Sequence, residues 1–459
     1  MNNLINLIKK EYDTPVSDNM ISNIEEWEDM YCDNPHWACE STLGTPQTIC
    51  QTLSSQILTE AKIEVTGESE KAIFVREQIE KHLLPRLKEQ LEKGMAVGGI
   101  VFRPYISNGG INIDFCRQGQ FLILAFDDDG NVTDIAFGEQ IQSGKVTYTR
   151  VERQTLDGDN VIIENKAYKG KNRNLGREIP LSTVDKWADI DPKVVQEGIE
   201  GTCFGYYRTP LANNIDIDSP VGISIFSPAK ALIKKVDEQF DRLDWEYEGG
   251  QLAVDVSEDA ILPQSELTDQ IKVEQTKKRL YRKLDFQDID TWKAYNPSLR
   301  DSNYNDGLDN YLMRIEDKIG MERGALSKVD SVARTATEII TLKERRYHTL
   351  VDNQEALENA LQDMFKAVSY LAEKYYEVEG NCKLVINWND SILEDYQTEL
   401  DRHQQRIDMG IEDKIEARMW AFGEDREDAE KALEDIDALT DIYNDLESMG
   451  EPEESIGVE

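Results

Sequence analysis

The 459-residue chain carries 90 acidic side chains against 51 basic ones, a formal net charge of −39, with 39% apolar residues and 7 Trp, 18 Tyr and 12 Phe. That is enough apolar material to fold without disulfide or metal staples, and length alone suggests about three structural units. The acidic balance excludes a surface that wraps nucleic acid by neutralising phosphates, and no apolar run approaches the ~20 residues of a membrane-spanning helix.

Met1 to Lys10 lacks the order of charge, apolar block and small residues that marks a secretory leader. Helices are expected first: Ser17 to Tyr31 opens on an N-cap residue, and Ser69 to Lys93 carries Ile73, Phe74, Ile79, Leu83, Leu84, Leu87 and Leu91 on one helical side. From Gly98 to about Lys169 the pattern becomes β-rich. The segments beginning at Ile100, Ile111, Phe121, Val146 and Val161 are punctuated by Asn108-Gly109-Gly110, Asp129-Gly130-Asn131 and Asp157-Gly158-Asp159-Asn160. This predicts an antiparallel meander.

Helical spacing returns with Ala229, Leu232, Ile233, Val236, Phe240, Leu243 and Tyr247, stopped by Gly249-Gly250. A second stripe, Tyr304, Leu308, Tyr311, Leu312, Ile315 and Ile319, ends at Gly320. Two amphipathic helices around an insert predict an antiparallel pair carrying a subdomain. Leu326 to Arg334 reads as a loop, and the longest helix follows from about Thr335 to Tyr376, roughly 60 Å at 1.5 Å per residue. Its second half is apolar on one side (Leu357, Leu361, Met364, Phe365, Val368, Leu371, Tyr375), whereas Lys343, Glu344, Arg345, Arg346 and His348 crowd charge into the first. A lone strand, Lys383 to Trp388, precedes an acidic helical end in which Glu424 to Glu459 holds 15 acids against Arg426 and Lys431.

Four chemical motifs fail on inspection. Gly94 to Gly99 has the glycine spacing of a phosphate loop, but Ile100-Val101 stands where Lys and Ser/Thr are needed, so a helix-to-strand turn is expected. Asp127-Asp-Asp-Gly130-Asn131 resembles the centre of a calcium loop, yet its first and twelfth positions would be Ala125 and Ala136, which makes it a hairpin turn. Cys32, His36, Cys39 and Cys50 do not match zinc-finger spacing, and no metal or other cofactor is assigned. The six Cys, scattered from 32 to 382, suggest thiols in a reducing compartment rather than a disulfide scaffold, and the four His form no catalytic arrangement. The one basic concentration is Lys277, Lys278, Arg279, Arg282 and Lys283, inside the insert, suited to an acidic partner or DNA phosphates, or to local pairing with Glu258, Asp259, Glu274 and Asp285. Two readings fit the composition alone: an acidic scaffold or adaptor, and a metal-dependent nuclease drawing on the many carboxylates.

The run Tyr206-Tyr-Arg-Thr-Pro-Leu-Ala-Asn213-Asn214-Ile215-Asp216 through Pro220, Gly222, Ser224, Phe226 and Ala229, then Val236-Asp237 to Trp245-Glu246, resembles the portal proteins of long-tailed bacteriophages. So does Arg314-Ile-Glu-Asp-Lys-Ile-Gly-Met-Glu-Arg-Gly-Ala-Leu-Ser327 followed by Thr335-Ala-Thr-Glu338-Ile339 and a long helix. The resemblance spans roughly residues 20 to 420 and is strongest over 205–376.

It implies an α+β, multidomain, non-enzymatic subunit of a ring, usually of twelve copies, at the portal vertex of a virion capsid, assembled in the host cytoplasm. On that pattern residues 1–225 form the wing, helical and then an antiparallel sheet; 226–250 and 300–324 are stem helices; 251–299 is a small α/β clip. Residues 325–334 form a tunnel loop, 335–394 the long helix and a wing strand, and 395–459 an acidic helical crown. The implied partners are further copies of the chain, double-stranded DNA in the channel, the terminase large subunit, a head-completion protein or adaptor, the scaffold and the major capsid protein, with no membrane. Lys328, Val329, Asp330, Ser331 and Arg334 then fall on the channel loop, and the cluster from Lys277 to Lys283 on the clip where a motor docks. Lys343, Glu344, Arg345 and Arg346 become inter-subunit candidates.

Overall fold

Short α1 (Leu4–Ile8) precedes α2 (Asp18–Tyr31), whose N-cap Ser17 accepts the Met20 N–H at 3.0 Å. The side chains of Met20, Ile21, Ile24, Trp27 and Met30 are buried along its inner face. α3 (Thr45–Leu58) buries Ile49, Cys50, Leu53 and Ile57, and β1 (Lys62–Thr66) follows. The helix expected over 69–93 is two helices, α4 (Glu70–His82) and α5 (Leu84–Val97). Pro85 is the reason: lacking an N–H it cannot continue α4, but it suits the first turn of α5. In the computed structural model residues 4–37, 41–107, 109–171, 174–250, 253–257, 281–284, 292–295, 298–328, 336–388, 396–422, 426 and 429–431 are described, in two units, Met1–Trp388 and Asn389–Glu459.

Gly98 ends α5 in the left-handed region (φ +99°), and the expected helix-to-strand turn leads into β2 (Gly99–Ser107). β3 (Gly110–Arg117) pairs antiparallel with β2. β4 (Phe121–Phe126), β5 (Val132–Ser143), β6 (Val146–Asp157) and β7 (Asn160–Lys171) form an antiparallel meander. β8 (Arg177–Ile179) and β9 (Lys193–Glu197) share the far edge of β7, pairing with its second and first halves respectively. β10 (Gly205–Arg208) lies on the free edge of β2. The single meander expected over 98–169 is therefore two sheets: the β2–β3 hairpin belongs with β10, and only β4 to β7 run as a meander.

α6 (Lys230–Gly249) and α7 (Asp301–Ile319) are the two expected amphipathic helices. Between them β11 (Ala253–Ser257) pairs parallel with β12 (Tyr281–Leu284) and antiparallel with β13 (Trp292–Tyr295). α8 (Ala336–Tyr376) runs 41 residues, and β14 (Lys383–Asn387) returns to pair with β1 at the other end of the unit's sequence. The second half of α8 buries Leu357, Ala360, Leu361, Met364, Val368 and Ala372, while Tyr375 at its end is exposed. It lies against β10 so closely that a Cβ on Gly205 would sit 1.8 Å from the Ala360 carbonyl oxygen. Buried Tyr207 donates its hydroxyl to Asn353 Oδ1 at 2.7 Å, so the polar atoms of this contact are satisfied.

The second unit contains α9 (Tyr396–Asp408) and α10 (Lys414–Phe422). Asp413 accepts the Glu416 N–H at 2.7 Å while Glu416 accepts the Asp413 N–H at 3.4 Å, a reciprocal cap that starts α10. His403 joins the two helices, with Nδ1 2.5 Å from Glu412 Oε1 and its ring 4.3 Å from that of Trp420.

Candidate functional site

The helix pair is antiparallel by three contacts along its length. Glu246, near the end of α6, accepts from Arg300 N at 3.1 Å and from its Nε and Nη2 at 3.2 and 2.7 Å. Gln239 donates to the Tyr304 carbonyl, and Lys318 at the end of α7 donates to the Pro228 carbonyl. These Arg300 hydrogen bonds hold the Glu246 carboxyl below the ordinary carboxylate range. Tyr247, counted in the sequence stripe, is exposed, and Glu246 takes the buried position beside it. The pair is fastened to the N-terminal helices at its base. Asp237 accepts from Trp37 Nε1 at 2.9 Å and Leu43 N at 3.1 Å, and Lys230 pairs with Glu26. Burial pushes Asp237 up despite those two hydrogen bonds.

α7 ends at Gly320 (φ +74°), and residues 321–328 fold back over its last turns. Glu316, fully buried, organises this return. Its Oε1 accepts Gly324 N at 3.2 Å, Leu326 N at 2.6 Å and Ser327 N at 2.7 Å, while Oε2 accepts the Ser327 hydroxyl at 2.8 Å. Lys328 N donates to Asp309 Oδ1, two helical turns before Glu316, at 2.6 Å. An ion pair from Arg346 Nη1 to Glu322 Oε2 at 2.6 Å ties the segment to α8.

Lys328 is thus the last described residue of the loop's approach, and it is exposed. Val329, Asp330, Ser331 and Arg334 lie outside the described residues, as do Lys277, Lys278 and Arg279. Arg282 and Lys283 stand on β12 opposite Asp255 and Val256 of β11. Lys343, Glu344 and Arg345 are in the first turns of α8, next to Arg346. Sequence reasoning assigned no role to Glu316, Asp309 or Glu322. The available signal was a carboxylate directly after Ile315 on the buried side of a helix, followed at once by a glycine-punctuated segment.

The family-like run after Tyr206 serves the backbone. Asn213 Oδ1 accepts Ile215 N and Asp216 N, both at 2.9 Å, and its Nδ2 donates to the Val221 carbonyl. Asp216 accepts Ser17 N at 3.0 Å, and Gly222 approaches Gly98 too closely for a side chain on either. The segment locks the entry of α6 onto the end of α5.

A cavity of about 680 Å³ between the two sheets brings together Arg103, Asp114, Glu139, Arg150, Glu152 and Lys186. Arg103 pairs with Asp114 and Glu152, Arg150 with Glu139 and Glu152, and Lys186 with Glu139. Burial alone would push Glu152 up; Arg103 and Arg150 outweigh it and hold the carboxyl below its ordinary range. Burial pushes the cavity's two thiols, Cys116 and Cys203, up to about 12, far from a reactive thiolate. Asp127 accepts from Asp129 N and Asn131 N, as a hairpin turn requires. Cys32 is exposed, Cys50 is fully buried and His36 faces Glu26, while Cys39 lies outside the described residues. Among the described residues no group of three or more His, Cys, Asp or Glu is placed to hold a metal, and no helix is long and apolar enough to cross a membrane.

Comparison with curated proteins gives no match. A family model described as "Phage portal protein, SPP1 Gp6-like" matches residues 41–440, which takes in every element from α3 to α10 and leaves out α1 and α2. With a match over most of its length on an α+β architecture, the chain belongs to the phage portal protein family, a family of structural proteins.

Proposed function

We propose that copies of this chain close into a ring, of twelve in the family's usual form, at one vertex of a phage capsid and conduct double-stranded DNA during packaging and ejection. The observation that carries this reading is the unbroken order, within the matched region, of an antiparallel helix pair, a return segment clasped by Glu316 and a 41-residue helix. In this reading α6 and α7 are the stem, residues 251–299 the clip, 325–334 the tunnel loop, 1–225 with α8 and β14 the wing, and 395–459 the crown. The terminase large subunit and later a head-completion protein dock on the clip through Lys277, Lys278, Arg279, Arg282 and Lys283; scaffold and major capsid protein hold the ring in the shell.

The charge suits the task. A channel that gripped each phosphate would stall a moving duplex, because every retained contact adds salt-sensitive affinity. Repeating a net charge of −39 around a ring repels the backbone, leaving isolated cations such as Lys328 and Arg334 for brief contacts. The loop has no aromatic side chain from Leu326 to Arg334, so base stacking is not its mode. Ring closure needs a head-to-tail interface whose rotation closes, and the charged first half of α8, Lys343 to Arg346, is proposed as part of it. Negative-stain images and native mass of the purified chain should show closed rings. A monodisperse single chain at high concentration and assembly-permissive salt would end this reading.

A further inference from the structure

We propose that Glu316 is a positioning residue that makes the return segment 321–328 part of α7, so that Lys328 is presented to DNA by α7 rather than by the long helix. The proposal rests on the channel reading above for what Lys328 meets, and on geometry alone for how it is held. One buried carboxylate accepts three backbone N–H groups and one hydroxyl from a stretch of four residues. Hydrogen bonds to a charged acceptor are the strong ones, and here they replace the helical partners that the N–H groups of 324, 326 and 327 lack. Asp309, two turns back on α7, accepts the N–H of Lys328 itself. Beside these five bonds to α7, the Glu322–Arg346 ion pair links the segment to α8. Arg323 turns back to α7 as well, bonding Asp317 at 3.1 and 2.9 Å.

The chemistry explains why the residue is Glu. A carboxylate is acceptor-only, with room for four donors, whereas an apolar residue there would take away the acceptor of the Leu326 and Ser327 N–H groups, Gly324 N keeping Ser327 Oγ at 3.2 Å. Gln keeps one carbonyl oxygen for the backbone groups and can donate to the Ser327 oxygen, so it retains much of the clasp.

The test uses the full-length assembled ring. Amide hydrogen exchange at Leu326 and Ser327 should be at least about tenfold faster in Glu316→Ala than in the parent, with Glu316→Gln restoring most of the protection. Rings should still form, and the amount of DNA packaged per prohead should fall in the Ala variant and recover in the Gln variant. Unchanged exchange in Glu316→Ala overturns the clasp. Lost protection with parent-level packaging overturns the link between the clasp and DNA. Should Glu316→Ala fail to fold, Asp309→Ala removes the acceptor of the Lys328 N–H, and parent-level exchange at Lys328 in that variant refutes the hold of α7 on Lys328. If the parent itself forms no ring, the channel reading fails, while the exchange arm still decides the clasp.

Discussion

At Glu152 two largely enclosed guanidinium groups share one carboxylate: burial raises the carboxyl, and Arg103 and Arg150 bring it below the ordinary 4.5. Glu139 follows the same pattern, with burial opposed by Lys186 and Arg150. An acid whose folded value is depressed contributes stability that is complete above its unfolded value and is lost as pH falls through the folded one. Melting temperature should therefore decline as pH drops below about 4.5, and Glu152→Gln should flatten that decline. At neutral pH the same substitution takes one of two carboxylate partners from each of Arg103 and Arg150 and should cost about 1–3 kcal/mol in denaturant titrations. A variant as stable as the parent would show that the cavity, not the network, decides the packing there. The two carboxylates were not distinguishable in the sequence from the other acids, since nothing in local spacing shows which lie between sheets. Gly205 makes a second residue-scale point. A methyl group there meets the Ala360 carbonyl at 1.8 Å, so Gly205→Ala should cost upwards of about 2 kcal/mol, whereas Gly249→Ala, with nothing within 4 Å, should leave the denaturation midpoint unchanged or slightly raised.

Among the elements, those with long unbroken periodicity were legible: α6, α8 and β14 lie within a residue or two of where their patterns place them, and α7 begins three residues before its stripe. Two failures have physical causes. Pro85 sits inside a continuous apolar stripe, and the stripe concealed the break because α4 and α5 both bury that side. β5 was missed because its inward positions include Asp134, buried and paired with Arg153, and its second half turns polar from Glu139 onward. Alternation of apolar and polar residues is the signal for a half-buried strand, and a buried ion pair erases it. The clasp on residues 324–327 was not legible, because three of its four donors are backbone groups and any sequence supplies those. On the element scale, replacing Lys328 and Arg334 together by Ala should alter DNA packaging or retention while ring formation persists; DNA handling identical to the parent's would make those charges incidental.

For the whole molecule, the acidic excess and the family resemblance pointed the same way, and the α+β architecture was readable from the alternation of long helical and β-rich stretches. What composition could not supply was the partition of the strands into separate sheets, which depends on β10 returning to β2 from about a hundred residues away. Deleting 251–299 should leave the rest of the chain folded and ring-forming but unable to dock the packaging motor, measured by pull-down with the motor subunit. Motor binding at parental affinity would move the docking surface elsewhere.

The neck at Glu246 and Arg300 has a consequence for how such a chain diversifies. Departure and re-entry points stand side by side, fastened by a forked guanidinium–carboxylate contact, so whatever polypeptide lies beyond them transmits little strain to the helices. A lineage could trade that cassette for one of different length or fold, keeping the helix pair beneath it intact.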